Sequence, residues 1–211
     1  MRLLPFALML AASLWLAGCS DKSSGESESN GSMLLSPADS AFKNTDVTGL
    51  GYARDFALTD HNGKPRTLAD FKGKAVLVFF GFTHCPDVCP TTLGEMANVM
   101  QELGPQADKV QVLFITVDPE RDTPELLAKY VPAFHPSFIG LTGDKAAIEK
   151  VAKEFRVFYQ KVPGKEPGSY SVDHTAGSYV FDPQGRIRLF VRHGQGTEPI
   201  VHDLKLLLAG K

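Results

Sequence analysis

Two thiols lie four positions apart in "VFFGFTHCPDVCPTTLGEM", residues 78–96: Cys85 and Cys89, each followed by a proline. As thiolates, such a pair can attack disulfides or hold a soft metal ion. Three kinds of chemistry compete. A structural disulfide is the plainest, but a bridge across so short a loop removes little chain entropy and stabilises weakly. A redox-active dithiol is the second. Soft-metal binding is the third: two thiolates on one small loop suit Cu(I), and an imidazole as third ligand extends the site to Cu(II). Zinc more often takes four protein ligands in a structural site, and no second cysteine pair is present.

Six histidines compete for the third position. His61 falls in a turn, His135 adjoins Pro136, His193 follows a strand, and His202 belongs to the last helix; each reads as a surface or capping residue. His84, next to Cys85, is expected to point away from it. His174 belongs to the irregular-looking stretch "KVPGKEPGSYSVDHTAG", and long loops in compact domains often carry function. Placement favours His174 and leaves the choice open.

The elements that must position these groups are legible in outline. "FALTDHNGKPRTL" reads as a hairpin around Asn-Gly. The apolar run "KAVLVFFGF" reads as a strand buried on both faces. "PTTLGEMANVMQELG" has helical spacing and is expected to begin at Pro90, with Cys89 ending the loop because a residue before proline avoids helical geometry. The helix N-terminus should lower the pKa of both thiols. A strand "VQVLFITV", a helix from Thr123, a short strand "SFIGL" and a helix from Asp144 follow. The strands "GSYVFD" and "RIRLFVRH" around "PQG", and a last helix, close the chain. The order predicts an α/β domain of thioredoxin-like fold: a mixed central sheet, an N-terminal hairpin extension, and a C-terminal hairpin plus helix.

Residues 1–18, one arginine followed by an apolar run, read as a lipoprotein signal peptide. Leu16-Ala17-Gly18-Cys19 resembles a lipobox, which makes Cys19 the lipidated residue rather than a working thiol. Residues 19–32, rich in Ser and Gly, read as a flexible tether, 33–52 as an approach segment, and 53–211 as the folded domain. The expected location is extracytoplasmic, anchored to a membrane, an oxidising compartment in which free thiols need a reason. A formal charge of −2 without a Lys/Arg cluster argues against nucleic acid as a partner.

Two family resemblances bear on the thiols. "DVCPT" resembles the surroundings of a peroxidatic cysteine, yet position 86 is proline where peroxiredoxins have threonine. Thioredoxin-like enzymes use C-x-x-C, whereas three residues separate the cysteines here. In contrast, "GFTHCPDVCPTTL", "VDPERDTPE", "GLTG" and "YSVDHT", in this order, resemble the Sco/SenC family of copper-binding proteins over roughly residues 53–209. That resemblance implies a membrane-tethered metallochaperone serving the CuA centre of cytochrome c oxidase, with the CuA-bearing subunit as partner. It also implies a copper donor or thiol reductant upstream. Copper ligands would be Cys85, Cys89 and His174, with Asp118 near the metal. A thiol-disulfide oxidoreductase using Cys85 and Cys89 as its catalytic pair is the alternative.

Overall fold

The structure, a computed structural model, describes residues 41–211. The signal peptide, Cys19, the tether and the first part of the approach segment lie outside the described residues.

In chain order the strands are β1 (Thr45–Asp46), β2 (Ala57–Asp60), β3 (Pro65–Thr67), β4 (Ala75–Gly81) and β5 (Val110–Thr116). They continue with β6 (Ile139–Thr142), β7 (Tyr159–Pro163), β8 (Tyr170–His174), β9 (Gly177–Phe181) and β10 (Ile187–Arg192). The helices are α1 (Val88–Leu103), α2 (Pro124–Tyr130), α3 (Lys145–Glu154) and α4 (Thr197–Leu208).

Eight strands form one mixed sheet in the order β1-β10-β9-β4-β5-β6-β2-β3, and β7 pairs with β8 in a separate hairpin. At the centre, β4 and β5 are parallel, and every residue of both is buried, which explains why β4 is apolar throughout and β5 is apolar but for Gln111 and Thr116. Their register sets Gly81 opposite Thr116, so the loops leaving both strands begin side by side at one edge of the sheet. That edge carries the thiols. The interior beneath is aromatic: Phe80, Phe155 and Tyr179 meet edge to face, and Phe79 leans on Phe114.

The two expected hairpins are present. In β2–β3, the buried Asp60 carboxylate accepts the amides of Asn62 and Lys64 at 2.9 Å each and the Arg66 guanidinium at 2.8 Å. In β9–β10, Asp182 plays the same part for Gln184 and Arg186. Thr123 and Asp144 cap α2 and α3 through the amides of Leu126 and Ala147.

Three elements differ from the sequence expectation. First, α1 begins at Val88 rather than Pro90, so Cys89 is helical. Pro90 remains in the first turn, where no amide has an intrahelical acceptor to lose, and the preference of a residue before proline is overridden. Second, "KVPGKEPGSYSVDHTAG" is largely the hairpin β7–β8, and His174 ends a strand rather than lying in a loop. Third, the late approach segment joins the sheet as β1, paired with β10. The buried Asp203 carboxylate on α4 draws it in by accepting the amides of Lys43 and Asn44 and the Asn44 side chain at 2.8–3.1 Å.

Candidate metal centre

Cys85 lies in the loop leaving β4 and Cys89 in the first turn of α1. The Cys85 thiol is partly exposed and Cys89 is buried, and neither is in a disulfide. The Cys89 amide, one of the orphan donors of the helix start, points at Cys85 Sγ at 3.4 Å. Gly81 makes room beneath: a Cβ there would lie 2.8 Å from Cys89 Sγ and 2.7 Å from the Phe114 ring.

His174 Nε2 lies 3.7 Å from Cys89 Sγ. Its other ring nitrogen is 3.0 Å from the Thr175 carbonyl, so Nδ1 carries the proton and donates it there. That leaves the Nε2 lone pair facing the thiol, the arrangement usual for a metal-binding imidazole. Phe79 and Phe82 meet the ring edge-on at 6.1 and 6.0 Å. Burial lowers the pKa of His174 and keeps the imidazole neutral near pH 7. Burial also raises the pKa of Cys89, opposite to the effect expected of a helix N-terminus; desolvation outweighs the dipole for a sulfur with no exposed surface.

Two thiols and a neutral imidazole with its second nitrogen anchored form a donor set that fits a soft ion. Among the described residues, no three His, Cys, Asp or Glu side chains are already gathered around one point. Cys89 and His174 are brought together, with Cys85 alongside.

Asp118 is buried on other work. Its carboxylate pairs with Arg121 and accepts the Tyr170 hydroxyl at 2.9 Å. Arg121 also donates to the Tyr170 carbonyl at 3.0 Å, and its guanidinium lies 3.7 Å from the Tyr170 ring centre. These contacts clamp the start of β8, the strand that carries His174, to the loop after β5. Asp122, which sequence reasoning passed over, is the acid that reaches the thiol loop. It accepts the Thr83 amide at 3.0 Å and the hydroxyls of Thr83 and Thr116 at 2.6 Å each. The available signal was a second acid in "VDPERD", with threonines at the ends of both central strands to receive it.

The other histidines are engaged elsewhere. His84 contacts Thr83 and lies 4.0 Å from Asp122, His61 accepts the Gly140 amide, and His135, His193 and His202 bond Ser137, Thr92 and Asp203.

The SCO1/SenC family model matches residues 46–209. The chain is 39% identical over 212 residues to the mitochondrial SCO2 homolog of Bos taurus, covering 99% of this chain and 75% of that protein. It spans 59% of the length of the human counterpart. The structure of Bradyrhizobium japonicum ScoI with copper bound matches at 48% identity and TM-score 0.68, over 73% of this chain and 98% of that one. A structure of BsSco, described as having a disulfide switch and as a member of the Sco family of cytochrome c oxidase assembly proteins, matches at 25% identity and TM-score 0.61. It covers 80% of this chain and 98% of that one. The mixed sheet is thus of the thioredoxin-like kind.

Proposed function

The chain belongs to the SCO1/SenC family, and from that premise we propose that it binds one copper ion through Cys85, Cys89 and His174 and serves assembly of the CuA centre of cytochrome c oxidase. The observation that carries the ligand set is the unprotonated His174 Nε2 held 3.7 Å from Cys89 Sγ. Copper-bound relatives of the same fold support the choice of metal. Copper is the cargo, so the ligands must hold it and also give it up; three ligands in a partly open cleft suit that better than a closed cage. The partner is then the CuA-bearing subunit of the oxidase.

The test is titration of the full chain with Cu(I) and Cu(II). Even outer partners of metal ligands are worth about 10–100-fold in affinity. Loss of a ligand in Cys85→Ser or Cys89→Ser should therefore weaken Cu(I) binding by at least about a hundredfold while circular dichroism stays unchanged. Full copper affinity in both variants refutes the ligand set.

A dithiol reading has its own support: a partly exposed thiol beside a buried one, linked by the Cys89 amide. In it, Cys85 attacks a target disulfide and Cys89 resolves the mixed disulfide, leaving the target reduced and this pair oxidised. A thiol reductant must then restore the pair.

Leu16-Ala17-Gly18-Cys19 supports a lipid anchor on Cys19 that holds the domain at the periplasmic face of a membrane, the inner membrane being where an oxidase partner lies. Cys19→Ser should abolish incorporation of labelled fatty acid; undiminished labelling would refute the anchor.

A further inference from the structure

The sequence holds no run of lysines and arginines, yet the fold gathers several on one side. Two clefts, of about 770 and 670 Å³, adjoin along the segment before β2, since Tyr52 and Arg54 line both. Lys150, Lys153 and Arg156 line the first, and Arg186 and Arg188, around the start of β10, line the second. With Arg54 they outnumber their acids, which are Asp55, Glu154 and the buried Asp182. Arg54 pairs with Glu154, and Arg186 and Arg188 share Asp182. Among the described residues, Lys150, Lys153 and Arg156 pair with no carboxylate. Leu50, 50% exposed, stands beside these charges on the second cleft.

The second cleft lies at the edge of the sheet away from the thiols. Gly81, where β4 gives way to the thiol loop, is one end of that seven-residue strand. Near the other end, Val76 pairs with Phe181 and the Gly73 amide donates to the Pro183 carbonyl at 2.8 Å, which sets the turn carrying Arg186 there. The length of β4 separates the two by about 20 Å. The chain also enters the domain here, for the Phe42 ring lies 5.3 Å from the Arg188 guanidinium. An exposed apolar side chain among cations suits an anionic lipid surface, which offers headgroup charge and a shallow apolar layer.

We propose that the two clefts form a docking face for an anionic phospholipid surface, which holds the domain against its membrane and leaves the thiol edge turned outward to the partner. Lys150, Lys153 and Arg156 meet headgroup phosphates, and Leu50 enters the boundary between headgroups and acyl chains. The tether proposed from Cys19 leads into the domain at this face, because Phe42 lies on Arg188. A second copy of this chain suits the face less, since symmetric pairing brings like charges together. This inference rests on the reading that Cys19 is lipidated.

The test is a lysine footprint of the lipid-anchored protein on vesicles of phosphatidylcholine, alone or mixed with phosphatidylglycerol. Trace acetylation followed by peptide mass spectrometry reads each lysine. A cation near an anionic surface is favoured by about fivefold, so Lys150 and Lys153 should react about fivefold more slowly on the anionic vesicles. Lys165, in the turn of the hairpin that carries His174, should not change. High salt should erase the difference, because it screens the charges. Arg156→Glu should reduce it, and Arg156→Lys should keep it. Equal rates on both vesicles, or equal slowing of Lys165, overturns the docking face. Slowing that rises with the number of chains per vesicle at one lipid composition points to a second copy and also overturns it. Fatty-acid labelling of the same protein is read separately. Labelled protein without the footprint refutes the docking face alone, whereas unlabelled protein refutes the anchor and this inference with it.

Discussion

At the scale of single residues, the site is set by where protons sit. Burial keeps Cys89 protonated at neutral pH and His174 unprotonated. Loading a metal must therefore expel the Cys89 proton, whereas the imidazole has none to lose. Cu(I) affinity should rise by about tenfold per pH unit for each thiol proton released, from pH 6.5 up to pH 8. Competition titration against a chelator of known pH dependence measures the slope, and a flat profile would exclude thiolate ligation. The metal-free protein has the complementary linkage. His174 has a folded pKa below its unfolded value, so its contribution is present above about pH 6.5 and lost as pH falls. Cys89 has a folded pKa above its unfolded value, so stability is lost as pH rises past the ordinary thiol range. Cys85 and Cys89 stood out in the sequence as candidate ligands because few residue types carry this chemistry, whereas residue type alone left His174 one of six histidines. The direction of the Cys89 shift was not legible, because burial belongs to the packing of α1 against Gly81 and Phe114 rather than to its neighbours in the chain.

At the scale of elements, the question is how a histidine on one hairpin is held against thiols on another loop. Asp122 fixes the thiol loop through Thr83, and the Asp118–Arg121–Tyr170 contacts fix the hairpin. Both acids issue from the loop after β5, so one short segment sets both halves of the site. Tyr170→Phe removes the hydroxyl bonded to Asp118, at a cost of about 1–3 kcal/mol for the charged bond. Amide exchange in residues 159–174 should accelerate while that of β4 and β5 stays slow. Cu(II) affinity, which depends more on the imidazole, should fall about tenfold and Cu(I) affinity less. Equal losses for both ions, or unchanged exchange in the hairpin, would show that Tyr170 does not hold His174 in place. The sequence pointed to His174 by a wrong premise. It read residues 161–177 as irregular because Pro163, Gly164, Pro167 and Gly168 dominate the eye, yet these mark the hairpin's turn and its flanks. The alternation that follows in "YSVDH", with Val172 buried between exposed Ser171 and Asp173, was the strand signal that went unread.

At the scale of the whole molecule, the fold class was readable because β4 is apolar throughout, β5 nearly so, and α2 and α3 carry Thr123 and Asp144 as caps. The start of the folded region was less so. β1 is two residues long and pairs with β10, and the amides of Lys43 and Asn44 just before it are held by the Asp203 carboxylate, more than 150 positions away. No local pattern reports such a partner. The central claim concerns what the assembled edge of the sheet holds. X-ray absorption of the copper-loaded full chain, compared with His174→Ala, tests it most directly. The ligand set predicts two sulfur ligands and one imidazole nitrogen in the parent, and loss of the imidazole signal with both sulfurs retained in the variant. An imidazole signal that persists in His174→Ala, or a parent shell without two sulfurs, would contradict it.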